Sequence, residues 1–565
     1  MKYYSIILNF LIGITVTAAP QYPDDIIDSL WYKKAIVYSV DVEVFKDSDN
    51  DGIGDFNGLI SKLDYLDSLG ITALWLSPFQ PTPHKDDGYD ISDYYTVDPR
   101  LGTMNDFIHL MQAAKKYNMR IIMDLVVNHT SDSHPWFQQA RSSKNSPYRN
   151  WYVWSEEKPK NINTGMVFPG VQESIWTYDT LAGAYYYHRF YQFQPDLNMQ
   201  NSAVQAEVKK IIAYWLQKGI SGFRLDGVPF FIEVPETKGD AFERQFDLLH
   251  DMCAYVKSQR SDAIVLGEAN VPPKENKQYF GEHGQSLDMI LNFYVNQHVF
   301  YALASGQTKC LRKSIRQTCT NLPQGAQWAE FLRNHDEVDL GRLSSRKRNK
   351  VYDVMGPEPD MQLYDRGIRR RMAPMLNNDR RRLELAYSLM LSLPGTPILR
   401  YGDEIGMGDD LSLKERMSVR TPMQWSSAPN GGFTTADSCV LPVIADPTYG
   451  YKTVQVAQQL HDTASFLHWT RKMLLLRKNY PEICMTTCQV LPSGSPHVLI
   501  MHYTLNDSET FVIHNFSSHE QKISLSACEA GTWNQQAGMQ SKLTVKKGEN
   551  NITIPGFGYS WYKTK

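Results

Sequence analysis

Hydrophobic residues recur along this chain in two alternating patterns, from about residue 30 onward. Short runs rich in apolar and β-branched residues alternate with longer stretches in which apolar residues return every three or four positions. The short runs are typical of buried parallel strands and the longer stretches of amphipathic helices, so the pattern predicts repeated βα units. The eight predicted strands are Ile36–Val40, Ala73–Ser77, Arg120–Val127, Gly222–Asp226, Ala263–Glu268, Met289–Asn292, Gln327–Arg333 and Thr396–Tyr401. Eight is the number of parallel strands that closes a (β/α)8 TIM barrel, an α/β fold.

Two stretches depart from this alternation and predict further domains. The third and fourth predicted strands are separated by roughly 90 residues, too many for a plain βα connection. We therefore predict an inserted lid subdomain over residues 131–199, between barrel segments 30–130 and 200–475. From about residue 480 the period changes to two, with Gly, Asn and Ser at the turns, which predicts a C-terminal antiparallel β-sandwich over residues 480–565.

The amino terminus has the pattern of an export signal. Lys2 is followed by an apolar run over Ile6–Val16 and by small residues up to Ala19. The run is too short to cross a bilayer, so residues 1–19 are predicted to be a signal peptide that directs the protein to the periplasm or the medium. We expect no membrane contact in the mature form, because no other segment is long and apolar enough.

Composition removes further classes of protein. The chain has 58 Lys and Arg against 61 Asp and Glu, a net charge of −3. This balance lacks the positive field that nucleic-acid binding needs, so we expect no nucleic-acid partner. The seven cysteines allow at most three disulfides, and their spacing defines no framework. The sequence leaves open whether the chain forms a homo-oligomer.

Acidic residues follow several of the predicted strands. In a (β/α)8 barrel the carboxyl ends of the strands face the active site, so these residues point to chemistry. Asp226 and Glu268 form a pair suited to glycosidic bond cleavage, in which one carboxylate attacks and a protonated acid serves the leaving oxygen. Arg224 lies two residues before Asp226 on the same face of its strand, where it would keep Asp226 ionised. A lone acid there would more often be a solvated loop residue, but several strand ends carry one.

A second acidic cluster follows the first strand. The acids occupy Asp47, Asp49, Asp51 and Asp55, and glycines at 52 and 54 permit a tight wrap. Hard oxygen ligands at this density favour Ca²⁺, although an EF-hand would need a glutamate that this loop lacks. We predict a structural calcium loop, with a bare acidic turn as the alternative.

Four stretches, taken in order, resemble the motifs of the α-amylase superfamily of retaining α-glycosidases. They are residues Asp124–His129, Gly222–Asp226, Glu268 and Asn334–Asp336. Residues Gln194–Asn198 and Arg420–Trp425 are similar to its oligo-1,6-glucosidase and trehalose synthase branch, and the chain most resembles the trehalose synthases, the maltose α-D-glucosyltransferases.

The resemblance implies roles for individual residues. Asp226 is implied as the nucleophile, Glu268 as the acid/base and Asp336 as the acid that grips the sugar hydroxyls. The implied glucose subsite consists of Asp86, Tyr89, His129, Arg224, His335 and Arg420, with Asp86 and Arg420 expected to pair behind the terminal sugar. The implied Ca²⁺ ligands are Asp47, Asp49, Asp51, the Ile53 carbonyl and Asp55. A second cation site is implied at Asn128, Asp196 and Glu233.

The function implied by the resemblance is interconversion of maltose and trehalose by intramolecular transglucosylation through a covalent glucosyl-enzyme, with some hydrolysis to glucose. The alternative is a secreted α-glucosidase of the maltase or oligo-1,6-glucosidase type, which the signal peptide favours. The family usually has alanine at the positions of Gly227 and Gly267, beside the catalytic acids. The loss of two methyl groups there predicts a slightly looser pocket.

Overall fold

The computed structural model describes residues 29–160, 162–234, 243–320, 322–524, 533–538, 542–546 and 549–564. The predicted signal peptide and Cys528 lie outside these ranges.

Eight parallel strands form a closed barrel in which each strand pairs with its neighbours in chain order and the first pairs with the eighth. This confirms the predicted barrel. The strands are Val37–Val40, Ala73–Leu76, Arg120–Leu125, Gly222–Leu225, Ile264–Gly267, Met289–Leu291, Gln327–Phe331 and Thr396–Arg400. Most end one or two residues earlier than predicted. Asp226 and Glu268 therefore lie immediately beyond their strands, at the mouth of the barrel.

Apolar side chains pack on both faces of the barrel sheet. Successive residues of a strand point to opposite faces, so Ile264 and Leu266 pack in the barrel interior while Val265 packs against the surrounding helices. Gly70 ends the helix Leu63–Leu69 at a φ of 93°, in the left-handed region that favours glycine.

Helices surround the barrel and connect its strands. The α-helices are Trp31–Lys34, Phe56–Ile60, Leu63–Leu69, Met104–Lys116, Pro135–Ser142, Ser202–Gln217, Val228–Phe231, Phe246–Gln259, Asn276–Phe280, Phe293–Ser305, Lys309–Cys319, Ser345–Met355, Met372–Met375, Arg380–Ser392, Val456–His461, Phe466–Lys478 and Pro481–Met485. Short 3₁₀ helices are Val42–Val44, Arg149–Trp151, Pro359–Met361, Asp403–Ile405, Glu415–Val419 and Pro429–Gly432.

Three small sheets lie in the long connections. The segment between the third and fourth barrel strands contains a three-stranded sheet of Trp154–Ser155, Ala184–Tyr187 and Trp176–Asp179. A second has the order Val338–Asp339, Gly367–Ile368 and Gln362–Leu363, and a two-stranded ribbon joins Glu233–Val234 to Glu243–Arg244.

The C-terminal region is a β-sandwich, as predicted. One sheet has the order Gln489–Leu491, Val498–Leu505, Ser508–Asn515, Tyr559–Thr564 and Trp533–Gly538, and the other has the order Gln521–Ser524, Glu549–Ile554 and Lys542–Lys546. Val498 and Ile500 pack between the two sheets, whereas Leu499 and Met501 belong to the main core. The larger sheet is thus buried on both faces.

The six described cysteines are unpaired, so the structure contains no disulfide among the residues it describes. Within the same ranges no helix has the length and apolar character needed to cross a membrane.

Candidate active site

A cavity of about 290 Å³ lies at the carboxyl ends of the barrel strands. Seven of the nine predicted catalytic and glucose-binding residues line it: Asp86, Tyr89, His129, Asp226, Glu268, His335 and Asp336; Glu233, predicted for the second cation, also lines it. Arg224 and Arg420 do not face the cavity; they are buried behind its wall.

Arg224 joins the acids of three neighbouring strands. Its Nη1 lies 2.6 Å from Asp124 Oδ1 and 2.8 Å from Asp226 Oδ1, and its Nη2 lies 2.7 Å from Glu268 Oε2. The strand register explains this, because Asp124 is directly opposite Arg224 and Asp226 is two residues further on the same face. One fully buried guanidinium therefore holds Asp226 and Glu268 side by side.

Burial and neighbouring charges give the facing carboxyl groups of Asp226 and Glu268 different pKa values. Burial raises the pKa of Asp226 to about 6, although Arg224 opposes the rise. Burial also raises the pKa of Glu268, to about 7, and the neighbouring Asp226 adds to the rise while Arg224 opposes it. Between these values Asp226 is ionised while Glu268 holds a proton. This is the pair of protonation states that a nucleophile and a general acid require.

Two arginines and a histidine hold Asp336 in its ionised form. Its Oδ1 lies 2.7 Å from Arg416 Nη1 and 3.3 Å from Arg420 Nη2, and its Oδ2 lies 3.1 Å from His335 Nε2. Burial opposes ionisation, yet His335 and the two arginines together lower the pKa of Asp336 well below its ordinary value. Asp336 is therefore a hydrogen-bond acceptor at the pH where Glu268 is an acid.

Tyr89 and the two histidines form a rigid polar floor. The hydroxyl of Tyr89 lies 2.8 Å from His335 Nε2, and the two rings are stacked with centroids 5.2 Å apart. His129 Nε2 lies 3.0 Å from the Tyr89 carbonyl oxygen. Burial lowers the pKa of His129 to about 4 and that of His335 to about 3, so both are neutral near neutral pH.

The expected pairing of Asp86 with Arg420 is wrong. Asp86 Oδ1 instead lies 2.7 Å from Arg416 Nη2, and Arg420 Nη1 lies 2.7 Å from Asp87 Oδ2. Arg416 bridges Asp86 and Asp336 and lines the cavity, so it has the place expected for Arg420. Sequence reasoning missed it because the recognisable motif begins at Arg420 and nothing marks Arg416 within Lys414–Met417.

A hydrogen-bonded cluster lies next to the cavity, beside its lining residues Phe168 and Arg416. Tyr191, from the segment between the third and fourth strands, donates its hydroxyl hydrogen to Glu415 Oε2 over 2.6 Å, and Tyr364 does the same over 2.8 Å. Phe168 packs on both tyrosine rings, with centroids 4.6 and 4.7 Å apart, and faces the guanidinium of Arg416. We call Tyr191, Tyr364 and Glu415 the mouth cluster; no sequence pattern indicated it.

The protein-family model of the alpha-amylase catalytic domain matches residues 40–355 and 367–486 of this chain. The chain belongs to the alpha-amylase family. A trehalose synthase/amylase (TreS) of Mycobacterium tuberculosis is 39% identical over 546 residues, covering 95% of this chain and 90% of that protein. An oligo-1,6-glucosidase of Parageobacillus thermoglucosidasius is 34% identical over 531 residues, covering 87% of this chain and 91% of that protein. The crystal structure of alpha-amylase from H. orenii superposes with a TM-score of 0.77 and 27% identity, covering 94% of this chain and 100% of that one. The protein is thus a glycoside hydrolase-type enzyme.

In this alpha-amylase family member, Gly227 and Gly267 lie beside the catalytic acids. Contrary to the expectation from the sequence, they do not loosen the pocket. A methyl group on Gly267 would approach Leu287 Cδ1 to 2.4 Å, so a core side chain already fills that space. Gly227 has a φ of 52° and a methyl there would lie 3.3 Å from the Phe190 ring. Its amide donates to Glu268 Oε2 over 3.1 Å. Glycine thus allows the turn that brings this amide to Glu268.

The acidic loop after the first strand brings three of its carboxylates together. Oxygen atoms of Asp47, Asp49 and Asp55 all lie within 4.8 Å of one another. Calcium takes oxygen ligands at about 2.3–2.6 Å, so one ion fits between oxygens at this separation. Asp51 is not part of this group; its Oδ1 accepts the Ile53 amide over 2.7 Å.

The residues implied for a second cation have other partners. Glu233 Oε1 lies 3.0 Å from Arg244 Nε and its Oε2 lies 3.6 Å from Arg189 Nη2. Asp196 Oδ1 accepts the Arg189 amide over 2.9 Å and also interacts with the Asn128 side chain. Because two guanidinium groups already balance its charge, Glu233 is a poor cation ligand in this arrangement.

Proposed function

We propose that this protein interconverts maltose and trehalose by retaining α-glucosyl transfer, with Asp226 as the nucleophile and Glu268 as the acid/base. Asp226 attacks C1 of the glucosyl unit and forms an ester while the glycosidic C–O bond breaks and Glu268 gives its proton to the leaving oxygen. Glu268, now a base, then takes the proton of the freed glucose 1-OH, whose oxygen displaces Asp226 and gives trehalose. Attack by the 4-OH restores maltose.

The single observation that carries this proposal is that the Arg224 guanidinium contacts two carboxyl groups, those of Asp226 and Glu268, which have different pKa values. Arg224 is fully buried and contacts both Asp226 and Glu268. Their pKa values, about 6 and about 7, support the assigned order of roles. Similarity to trehalose synthases over 95% of the chain supports the substrate class.

We infer that a terminal glucose binds beside Asp86 and Asp336, that these two acids accept hydrogen bonds from its hydroxyl groups and that Tyr89 contacts its ring face. Arg416 contacts both acids and so fixes them at one separation. Such fixed acceptors favour a single orientation of C1 against Asp226.

Isomerisation, unlike hydrolysis, requires that the freed glucose remain and that water stay out. The mouth cluster supports this, because Tyr191 joins the inserted segment to Tyr364 and Glu415, which lie in the connections after the seventh and eighth barrel strands. Glu415 itself has a φ of 47°, an uncommon conformation for a non-glycine residue that the surrounding contacts must maintain.

The test is a product analysis of the purified protein with maltose and, separately, with trehalose. We expect each disaccharide to form from the other with little glucose. Added ¹³C-glucose should not enter the trehalose formed from maltose, because the transferred unit is accepted by the glucose already in the pocket. Asp226→Asn should abolish both reactions, whereas Asp132→Asn, at the protein surface, should not. Glucose as the dominant product would overturn the isomerase proposal.

Hydrolysis is the alternative function, and the 34% identity to an oligo-1,6-glucosidase favours it. The same experiment separates the two functions, since a hydrolase would give glucose from maltose without trehalose.

We also propose that the loop of Asp47, Asp49 and Asp55 binds a structural Ca²⁺ and that the protein is exported by its first 19 residues. Calcium there would tie the loop to the helix Phe56–Ile60, whose N-cap is Asp55.

A further inference from the structure

Two helices that follow the sixth and seventh barrel strands carry a concentration of positive charge. They are Lys309–Cys319 and Ser345–Met355, and both pack on the helix Phe293–Ser305. Together they contain eight Lys and Arg residues and a single acid, Asp353. The whole chain has a net charge of −3, so this excess of cations is a local feature. We call these two helices, with the face of Phe293–Ser305 between them, the basic surface.

The cations of the basic surface have no acidic partners. In the described part of the chain none of the eight lies within 4 Å of a carboxylate oxygen, whereas Lys210 pairs with Glu207 and Arg380 with Glu384 along their own helices. The cations of Lys309–Cys319 instead follow one another at spacings of three and four residues, where like charges repel. Anionic groups from a partner would relieve this repulsion.

Three rings lie between the two basic helices. Tyr294, His298 and Tyr301 are spaced by four and three residues, so they share one face of their helix. The hydroxyl of Tyr294 donates to Gln317 Oε1 of one basic helix over 3.1 Å. Lys347 Nζ of the other basic helix lies 5.7 Å from the ring centroid of Tyr301. The face therefore has a basic helix on each side.

The positive charges of the two helices act on the same place. Burial lowers the pKa of His298, and Lys347 of one basic helix and Lys313 of the other add to this lowering. Packed helices lie about 8–10 Å apart, and the cations of residues 309–316 extend over about 10 Å of helix. The basic surface is therefore too wide for one small anion to neutralise, and it fits a chain of anionic groups.

We propose that the basic surface binds a sulfated polysaccharide outside the cell. Runs of about five to eight residues rich in Lys and Arg are typical of heparin and nucleic-acid binding, and residues 346–350 read Arg-Lys-Arg-Asn-Lys. Sulfate groups repeat along such a polymer and accept charge-assisted hydrogen bonds from lysine and arginine. The binding requires the proposed export of the protein but does not depend on its catalytic activity.

Other polyanions fit the basic surface less well. A helix that binds a membrane surface presents large apolar side chains beside its cations, but the exposed large apolar residues of the described chain, such as Leu181, lie on other segments. Single-stranded nucleic acids stack their bases on free aromatic rings. Here the ring of Tyr294 packs on His298 with centroids 4.9 Å apart, and Lys347 lies over Tyr301. A sulfated polysaccharide needs neither feature, because it binds through its sulfate and hydroxyl groups.

The test is a titration of fluorescein-labelled heparin oligosaccharide with the purified protein, followed by fluorescence anisotropy at several NaCl concentrations. We expect saturable binding whose affinity falls steeply with salt, because each neutralised anionic group releases counterions. Unlabelled heparin should displace the probe and neutral dextran should not. Absence of binding at low salt would overturn the proposal. Displacement by single-stranded DNA or by phosphatidylserine vesicles at lower concentrations than by heparin would overturn the choice of partner.

Three exposed lysines test the location of the site. The triple variant Lys309→Gln, Lys313→Gln and Lys350→Gln should bind heparin roughly 10–100-fold more weakly, since each lysine near an anionic surface contributes several-fold to the affinity. Parent-like turnover of maltose by this variant would show that it is folded. An unchanged affinity in a folded variant would refute the assignment.

The matched control removes the same number of charges from other helices. It replaces three exposed lysines by glutamine, at Lys115, Lys116 and Lys472. We expect this control to bind heparin as the parent does. An equal loss of affinity in both triple variants would show that only overall charge matters, and would overturn the proposed site.

Lysine acetylation gives a readout that needs no variant. The parent protein is treated with an acetylating reagent with and without heparin, and the modified lysines are identified by mass spectrometry. Heparin should protect Lys309, Lys313 and Lys350 and leave Lys115 reactive. Equal modification of these four lysines with and without heparin would contradict the proposal.

Discussion

Replacing Tyr191 by phenylalanine removes one hydroxyl group from the mouth cluster and leaves its ring contacts in place. The lost hydrogen bond joins the inserted segment to Glu415 over 2.6 Å. Glu415 is ionised, because the hydroxyls of Tyr191 and Tyr364 outweigh the effect of burial and lower its pKa. The variant therefore loses a bond to a charged acceptor, which holds the two sides of the cavity mouth together.

The size of the effect follows from the type of bond. A hydrogen bond to a charged group contributes about 1.5–3 kcal/mol, and about 1.4 kcal/mol corresponds to a tenfold change in an equilibrium. If the bond is made only in the closed state, its loss raises the open fraction at least about tenfold. Water then reaches the glucosyl-enzyme more often, and the ratio of glucose to trehalose formed from maltose should rise about tenfold or more.

The assay measures trehalose and glucose formed from maltose at early times by the Tyr191→Phe variant and the parent protein. Tyr95→Phe is the matched control, since Tyr95 also donates to a carboxylate over 2.6 Å, at Glu207, but packs on Tyr214, away from the cavity, whereas Tyr191 packs on the cavity-lining Phe168. We expect the control to keep the parent product ratio. An unchanged ratio in Tyr191→Phe, with full turnover, would refute the argument that this bond excludes water.

Three further predictions concern acids, a cation and a metal. The kcat/KM should rise with pH through about 6 as Asp226 ionises and fall through about 7 as Glu268 loses its proton; a profile that is flat from about pH 5 to about pH 9 would contradict the assignment. Arg416→Lys should lower kcat/KM about 10–100-fold, mainly through KM, because a lysine cannot bridge Asp86 and Asp336; steady-state kinetics with maltose measure this, and unchanged constants would contradict it. Calcium should raise the Tm of EDTA-treated protein, and Asp49→Asn should remove that rise while Asp51→Asn, outside the carboxylate group, keeps it; equal behaviour of the two variants would contradict the assignment of ligands.

The barrel and its acids were predictable because they depend on local patterns. A parallel strand buried on both faces is mostly apolar, so the eight strands stand out in the sequence, and the acids beyond them fall where a barrel presents its chemistry. The pairing of Arg224 with Asp226 followed from a spacing of two on one strand. The alternating period of the C-terminal region likewise predicted its sandwich.

Contacts between distant loops were not predictable in the same way. Arg416 and Arg420 lie close in sequence and both contact Asp336, but only the path of the 3₁₀ segment Glu415–Val419 decides which of them also meets Asp86. The space beside Gly267 depended on Leu287, twenty residues further along the chain. Likewise, the two arginine partners of Glu233 are Arg189 and Arg244, and no local pattern around Glu233 indicates either contact.

The sequence by itself determined the barrel, the C-terminal sandwich, and the order and spacing of the acids, since strand period and strand-end chemistry are properties of short segments. Tertiary structure decided how far the pKa values of Asp226 and Glu268 rise, because burial raises both and the shared guanidinium opposes the rise. It also decided which arginine reaches the cavity and what fills the space beside the glycines. These features depend on groups from different segments meeting in a low-dielectric interior, where a contact of a few ångströms changes charge and hydrogen bonding.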